Sequence, residues 1–339
     1  MEKKKIAIII DSKGWAFDNI SNNIKKNISE YDIDIIPGEY FAGNMIKLFL
    51  CCKDYDLIHF MWRGYLSLLD EKWGREYADS IGMTFEEFEK KFIYSKNITF
   101  SVCDELFLNE KEKWRTNTIM KYSKAYFVTS KRLFEIYSQF EKKPENIIHD
   151  GVDLEKFKPE KLNRFNDINR NIIIGWVGNS KFVGSDGDND MKGVEGIIKP
   201  AIKKLKDQNY NVSLKLADRN IKKIEIDDMP EYYNSIDIYV CASKAEGTPM
   251  PVLEAMAIGI PVVSTDVGIV QEAFGERERK YILEERTADN LANKLKLLID
   301  TPQEMKLISE ENLNQIKEWD WKTISKKYKV FFDKFSNNL

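Results

Sequence analysis

The segment from residue 236 to residue 265 restricts the fold most, because it combines a strand, a short helix and a second strand with short spacers. Residues 236–241 and 261–265 are short apolar runs of the kind found in buried strands. Pro251 suits the first turn of a helix, and Gly259 suits the position just past its end. This order predicts a β-α-β unit in a parallel α/β sheet.

Two carboxylates, Glu246 and Glu254, lie eight positions apart in this unit. Glu246 falls in the loop after the first strand, at the edge where open parallel sheets bind ligands, and Glu254 projects from the helix. N–H groups at a helix start attract phosphate, whereas ionised carboxylates accept hydrogen bonds from hydroxyl groups. In a simpler interpretation Glu246 caps the helix and Glu254 is a solvated helix residue. For Glu254 this is disfavoured, because the apolar residues around it leave little polar face on the helix. The pattern predicts a site for a nucleotide-sugar.

These residues resemble the E-x7-E hallmark of the retaining glycosyltransferase family 4, and residues 255–263 resemble the A-M-A-x-G-x-P-V-V sequence that follows it. The resemblance implies an α/β fold of the GT-B type. In that fold two Rossmann-like domains face each other across a cleft, and a C-terminal helix crosses back to the first domain. It also implies hexosyl transfer from a nucleoside-diphosphate sugar, with no metal and no further cofactor.

The resemblance also assigns the donor side of the site. Lys192 matches a K-G lysine that supplies a cation to the donor diphosphate, and Glu246 would accept hydrogen bonds from the sugar, so both are predicted as catalytic. Glu254 would bind the ribose, and Lys181 is the candidate for a second cation. The predicted donor-binding residues are Gly14, Lys181, Lys192, Glu246, Gly247, Thr248, Pro249, Met250, Pro251 and Glu254.

The first half of the chain resembles the family mainly in the order of its strands. The loop after the strand at residues 6–10 holds one glycine, Gly14, where the family has a glycine-rich loop, and Cys103 stands where the family carries a cleft histidine. A connection of about 35 residues, rich in aromatic side chains, leaves the strand that ends near Phe60. Ordinary connections have ~2–6 residues, and long ones are often functional. The predicted acceptor-binding residues are Trp15, Trp62, Arg63, Tyr65, Cys103 and Asp104.

Length and composition set the domain number and exclude some functions. The 339 residues predict two domains, placed at 1–160 together with a closing helix at 319–339, and at 171–318. A net charge of −3 argues against nucleic acid as a partner. The acidic run at 185–190 fits no calcium loop and is predicted as a solvated loop.

Four cysteines without metal-type spacing indicate a reducing compartment, and no apolar run reaches the ~18 residues that span a bilayer. We therefore predict a cytoplasmic protein. Peripheral association with the inner face of the membrane stays open, and so does the oligomeric state.

The predicted function is retaining transfer of a sugar to a glycan or glycolipid, in surface polysaccharide biosynthesis. One alternative keeps the fold but changes the chemistry, as in a nucleotide-sugar epimerase or a sugar phosphorylase. Another is a nucleotide-binding module with weakened catalysis, suggested by Cys103 and the single glycine of the first loop. A dehydrogenase is disfavoured because residues 175–178 lack the G-x-G-x-x-G fingerprint.

Overall fold

The computed structural model describes residues 3–69, 71–160, 162–166, 170–183 and 187–336. The chain forms two compact units: Met1–Asp150 with Trp321–Leu339, and Gly151–Asp320. The first unit thus ends ten residues before the domain limit placed at 160. Val152 donates its backbone N–H to the carbonyl oxygen of Trp319 at 2.8 Å, and the Phe157 ring packs against Tyr233, so this stretch is held by the second unit.

Each unit contains a five-stranded parallel sheet. The strands are β1 (Lys5–Ile10), β2 (Asp32–Pro37), β3 (Leu57–Phe60), β4 (Ile98–Val102), β5 (Ala125–Val128), β6 (Ile172–Gly178), β7 (Val212–Asp218), β8 (Ile238–Cys241), β9 (Val262–Thr265) and β10 (Ile282–Leu283). Their order is β2-β1-β3-β4-β5 in the first unit and β10-β9-β8-β6-β7 in the second. The direction of chain progression therefore reverses between β1 and β3 and between β6 and β8, which is where such sheets bind ligands. The predicted fold class, two Rossmann-like α/β domains, is confirmed.

Helices connect the strands. They are α1 (Ala16–Asn27), α2 (Met45–Cys51), α3 (Glu71–Ser80), α4 (Phe85–Phe88), α5 (Lys113–Lys121), α6 (Lys131–Tyr137), α7 (Lys199–Asp207), α8 (Met229–Asn234), α9 (Met250–Ala257), α10 (Val270–Ala273), α11 (Ala288–Ile299), α12 (Pro302–Gln315) and α13 (Trp321–Ser336). No helix in the described ranges is long and apolar enough to cross a membrane.

The β8-α9-β9 unit forms as its sequence predicts. Pro251 lies in the first turn of α9, where its missing N–H costs no hydrogen bond. The helix ends after two turns, and Gly259 follows it with φ of +73°. Because every residue of β8 and β9 is buried, these short apolar strands fix the position of the loop between β8 and α9.

The C-terminal helix α13 packs on the sheet of the first unit around His59. The imidazole is fully buried, stacks on Phe127 and meets the edges of Phe331 and Phe332 of α13. Its Nδ1 is 2.9 Å from the hydroxyl of Thr99. Burial lowers the pKa of His59 to about 3, so the ring is neutral at physiological pH. His59 is therefore a core residue.

Candidate functional site

A lysine and a glutamate distant in sequence meet where the strands of the second unit end. The Nζ atom of Lys192 lies 2.5 Å from Oε1 of Glu246, and the hydroxyl of Ser243 donates to the same oxygen at 2.6 Å. Lys192 belongs to the loop after β6, and Glu246 follows β8. Both side chains are mostly buried, so water screens their attraction less than on an open surface. The structure thus brings together the two residues predicted as catalytic.

Arg286 fixes the two loops that carry this pair. Its Nε donates to the carbonyl oxygen of Ala242 at 2.9 Å, and its Nη2 donates to the carbonyl oxygens of Asp190 at 2.6 Å and Met191 at 3.3 Å. The guanidinium therefore joins the end of β8 to the residues just before Lys192. Sequence analysis missed Arg286 because no local pattern distinguishes it. It reaches the site only because β10, which precedes it, pairs with β9.

The loop from Ser243 to Gly247 is also held from the end of β9. The hydroxyl of Thr265 donates to the carbonyl oxygen of Ser243 at 2.7 Å. Gly268 adopts φ of +53°, and a Cβ at this position would lie 1.8 Å from the carbonyl oxygen of Gly247. Only glycine allows such a close approach at this backbone conformation. The backbone that carries Glu246 is therefore fixed on both sides.

Glu254 lies on α9 with its carboxylate anchored by a tyrosine. The hydroxyl of Tyr233 donates to its Oε2 at 2.6 Å. Burial raises the pKa of Glu254 to about 6, although the hydrogen bond from Tyr233 and the charge of Lys156 oppose the shift. At neutral pH the group is mostly ionised and can accept hydrogen bonds. Glu254 is therefore not a solvated surface carboxylate.

The rest of the predicted donor set surrounds the start of α9. No side chain caps this helix, whose first residues are Met250 and Pro251 and whose N-cap is Pro249. The hydroxyl oxygen of Thr248 is buried without a hydrogen-bond partner among the described residues. An uncapped helix start carries partial positive charge, which favours an anion. Gly247 serves as the contact point for Gly268, as described above.

The acidic side chains described in the polar loop before Lys192 form hydrogen bonds and an ion pair with other residues of the second unit. Asp188 accepts from the N–H of Asp190 at 2.8 Å and pairs with Lys244 at 3.3 Å. The carboxylate of Asp190 accepts from the N–H of Gly196 at 2.7 Å. Residue 186, the first acid of the run, lies outside the described residues. Lys181, the other predicted cation, has an exposed side chain.

Three aromatic residues of the predicted acceptor set follow strands of the first unit. Trp15, which directly precedes α1, is 54% exposed, and the N–H of the adjacent Gly14 donates to Asp18 at 2.8 Å. Trp62 lies just after β3, with its ring 6.3 Å from that of Phe17. The hydroxyl of Tyr65 donates to the backbone carbonyl oxygen of Asp11, the residue just after β1, at 3.3 Å. Loops after β1 and β3 thus present these rings.

Arg63 and Cys103 both lie against Asp104 of the loop after β4. Arg63 is 2% exposed; its guanidinium lies 2.5 Å from Oδ1 of Asp104 and donates to the carbonyl oxygen of Leu106 at 3.1 Å. Through these contacts Arg63 holds the loop after β4, and its buried Nη1 has no hydrogen-bond partner among the described residues. Burial and the nearby Asp104 carboxylate raise the pKa of the Cys103 thiol well above its usual value. The thiol therefore stays protonated and does not replace an imidazole as a base.

Comparison with known proteins relates the segment that carries Glu246 and Glu254 to a protein family. Residues 203–315 match the family model described as Glycosyl transferases group 1. The matched segment, about a third of the chain, is similar to group 1 glycosyl transferases and contains Glu246 and Glu254. An 87-residue segment is 37% identical to the lipopolysaccharide core biosynthesis mannosyltransferase LpsB of Rhizobium meliloti. This segment covers 25% of the chain and 23% of LpsB, so the chain spans less than a quarter of that relative.

Solved structures resemble both units of this chain at the level of fold. Anabaena HepE in complex with UDP-glucose superposes with a TM-score of 0.69 at 15% identity, over 97% of this chain and 99% of HepE. Sucrose-phosphate synthase from Thermosynechococcus elongatus gives 0.67 at 14% identity, over 99% of this chain and 100% of the synthase. At such identities the likeness establishes the fold alone. That fold, two parallel-sheet Rossmann-like α/β units, is of the GT-B type.

Proposed function

We propose that this protein is a retaining glycosyltransferase that moves a hexose from a nucleoside-diphosphate sugar to a glycan or glycolipid. The observation that carries the proposal is the Lys192–Glu246 pair beside the uncapped start of α9, a helix that lies in the segment matching group 1 glycosyl transferases. No observation favours the epimerase, the phosphorylase or the weakened binding module.

The proposed donor chemistry is electrostatic. As the bond to the sugar breaks, negative charge collects on the departing diphosphate, and Lys192 and the start of α9 stabilise that charge. The contacts of Glu246 with Lys192 and Ser243 both use Oε1, which leaves Oε2 for a sugar hydroxyl. The acceptor oxygen attacks from the face that the diphosphate leaves, and a phosphate oxygen takes its proton. No protein base and no metal ion are needed in this scheme.

The direct test of the function is donor turnover. Purified protein is incubated with UDP- and GDP-sugars, including UDP-glucose, with and without a glycolipid extract as acceptor. We expect one donor to release free nucleotide faster when acceptor is present, and the product linkage to keep the anomeric configuration of the donor by NMR. Product with inverted configuration, or no nucleotide release from any donor, contradicts the proposal.

Glu254 is proposed to bind the ribose of the donor. Glu254→Ala should weaken binding of the free nucleotide by about 1–3 kcal/mol, because charged hydrogen bonds are lost. Affinity of the wild type should also fall as the pH drops through about 6, because the protonated carboxyl is a weaker acceptor. Calorimetric titration with UDP and GDP measures both effects. Glu310→Ala, a change at an exposed carboxylate of the same unit, is the control, and equal affinities for the two variants would exclude Glu254 from the site.

Trp15, Trp62 and Tyr65 are proposed to contact the acceptor, together with Asp104, which Arg63 holds, and the adjacent Cys103. Trp15→Ala should reduce transfer to the glycolipid extract while donor hydrolysis in its absence continues. Trp114→Ala removes another exposed tryptophan of the same unit and serves as the control. If hydrolysis falls in step with transfer, Trp15 contributes to the scaffold rather than to the acceptor site.

A role in surface polysaccharide biosynthesis, with the enzyme at the cytoplasmic face of the membrane, completes the proposal. It is supported by the partial match to a lipopolysaccharide core mannosyltransferase. Deleting the gene should shorten or remove a surface glycan in the source cell, as gel electrophoresis of extracted glycans would show.

A further inference from the structure

The first unit contains a cavity of about 920 Å³ that belongs to neither proposed substrate site. Its walls are α3, α4, the π-helical segment Glu89–Ile93 and the end of α5. Tyr94 in its lining precedes the amino end of β4, and Tyr122 precedes the amino end of β5. Ligands of parallel sheets bind at the opposite, carboxyl ends of the strands. The volume falls in the range of roughly 300–1,000 Å³ that is typical of small-ligand pockets.

Most of this cavity is built by the long connection between β3 and β4, and that connection is firmly packed. The Phe88 ring is fully buried, 6.5 Å from Phe49 of the core, and it contacts Phe85 and Phe92. These three phenylalanines therefore belong to the scaffold of the first unit. A parallel crossover needs only about a dozen residues, so the extra helices are not required for connectivity. One side of these helices packs against the core of the first unit, and the other side lines the cavity.

A fixed carboxylate and an aromatic ring stand side by side in the cavity. Glu89 accepts a hydrogen bond from the hydroxyl of Tyr122 and another from the Nζ of Lys121 at 3.3 Å. The Tyr94 ring lies 6.1 Å from that of Tyr122 and is 51% exposed. A carboxylate has about four acceptor positions, so Glu89 can accept further hydrogen bonds.

The charges of the lining restrict the ligand. Asp79, Glu86 and Glu89 face Arg75 and Lys121, so acids outnumber cations and a polyanion is disfavoured. The many polar groups also disfavour a lipid chain, which cannot replace their hydrogen bonds to water. Sugar hydroxyls both donate and accept hydrogen bonds, and the C–H face of a sugar ring packs on an aromatic ring.

We propose that this cavity is a carbohydrate-binding site that holds a neutral oligosaccharide segment of the acceptor, away from its reacting end. Carbohydrate binding follows from the cavity itself. Only the identification of that carbohydrate as acceptor rests on the proposed function. Such a site would keep a growing glycan attached to the first unit between transfers, and so favour long acceptors over short ones.

The test uses the full chain and an array of neutral oligosaccharides of three to six hexose or N-acetylhexosamine units. Tyr94→Ala and Glu89→Gln should each lower affinity for the best-bound glycan at least tenfold. Tyr40→Ala is the matched control, because Tyr40 is 65% exposed in the same unit and is not part of the cavity lining. Thermal unfolding checks that Tyr94→Ala, a change at a half-exposed side chain, leaves the fold intact.

Three outcomes contradict the proposal: no glycan binds, Tyr94→Ala binds as well as wild type, or Tyr40→Ala loses as much affinity as the cavity variants. The proposed function is separable from this result. Glycan binding should persist at saturating UDP or GDP and in Glu254→Ala, which loses nucleotide affinity. Glycan binding without transfer from any donor would keep the carbohydrate site and reject the glycosyltransferase.

Discussion

Lys192→Met should lower the rate of sugar transfer by about 10²–10³-fold, the usual cost of removing one preorganised group that stabilises developing charge. Lys192 is the cation beside Glu246, and methionine keeps much of its length without the charge. The loss should be larger in kcat than in nucleotide affinity, because the diphosphate gains most of its charge as the bond to the sugar breaks. Steady-state kinetics together with calorimetric titration of the nucleotide separate the two.

A matched control variant makes this result specific. Lys199→Met changes a lysine of the same unit that pairs with Glu195 on the surface, and it should leave the rate unchanged.

Glu246→Gln tests the other member of the pair. This variant should lose transfer while nucleotide binding survives, because the hydrogen bonds of Glu246 go to the sugar. Transfer by the wild type should continue in EDTA. Activity that returns only with manganese or magnesium would show that a metal ion, rather than Lys192, meets the diphosphate.

Glu278 should make the protein less stable as the pH rises from about 4.5 to about 8. Burial raises the pKa of this carboxyl from 4.5 to about 8, and none of the described residues offers a partner to its Oε2. Its Oε1 accepts from the N–H of Val262 at 2.6 Å and from the amide of Asn312 at 2.8 Å. Between these pH values the folded protein holds a proton that the unfolded chain has released. The contribution of Glu278 to the free energy of unfolding is therefore fully present below pH 4.5 and is lost as the pH rises to about 8. The change amounts to roughly 4–5 kcal/mol at 1.36 kcal/mol per unit.

Glu278→Gln isolates that effect, because glutamine keeps the acceptor oxygen but cannot ionise. Unfolding of the variant by denaturant should match the wild type at pH 5 and require more denaturant at pH 9. Glu310→Gln, on the exposed side of α12, should follow the wild type at both pH values. If wild type and Glu278→Gln show the same dependence on pH, the carboxyl is ionised in the folded protein.

Local sequence was sufficient to predict the strands and the helix of the β8-α9-β9 unit. Pro251, Gly259 and the two apolar runs act within a few residues of one another, so their backbone preferences specify strand, turn and helix directly. The same unit also placed Glu246 and Glu254 in the second sheet, and resemblance to a known motif added Lys192. For these residues the sequence and the structure agree on position.

Which side chains of the first unit are buried could be established only from the three-dimensional structure. Arg63 and Trp62 are neighbours in one aromatic and basic segment, yet the arginine is buried against Asp104 while the tryptophan remains partly exposed. A sequence window contains no information on which of two adjacent side chains faces the interior, because that depends on the loop after β4. Local pattern therefore could not supply the buried position of Arg63.

The sequence by itself determined the alternation of strands and helices, the motif around Glu246 and the apolar cores that make two α/β units. These depend on periodicity and on the backbone preferences of nearby residues. Only the tertiary structure decided that Lys192 touches Glu246, that Arg286 joins their loops and that Glu278 is buried. Each of these depends on strands and loops far apart in sequence coming together, and strand pairing and packing set such distances rather than any residue's own preference.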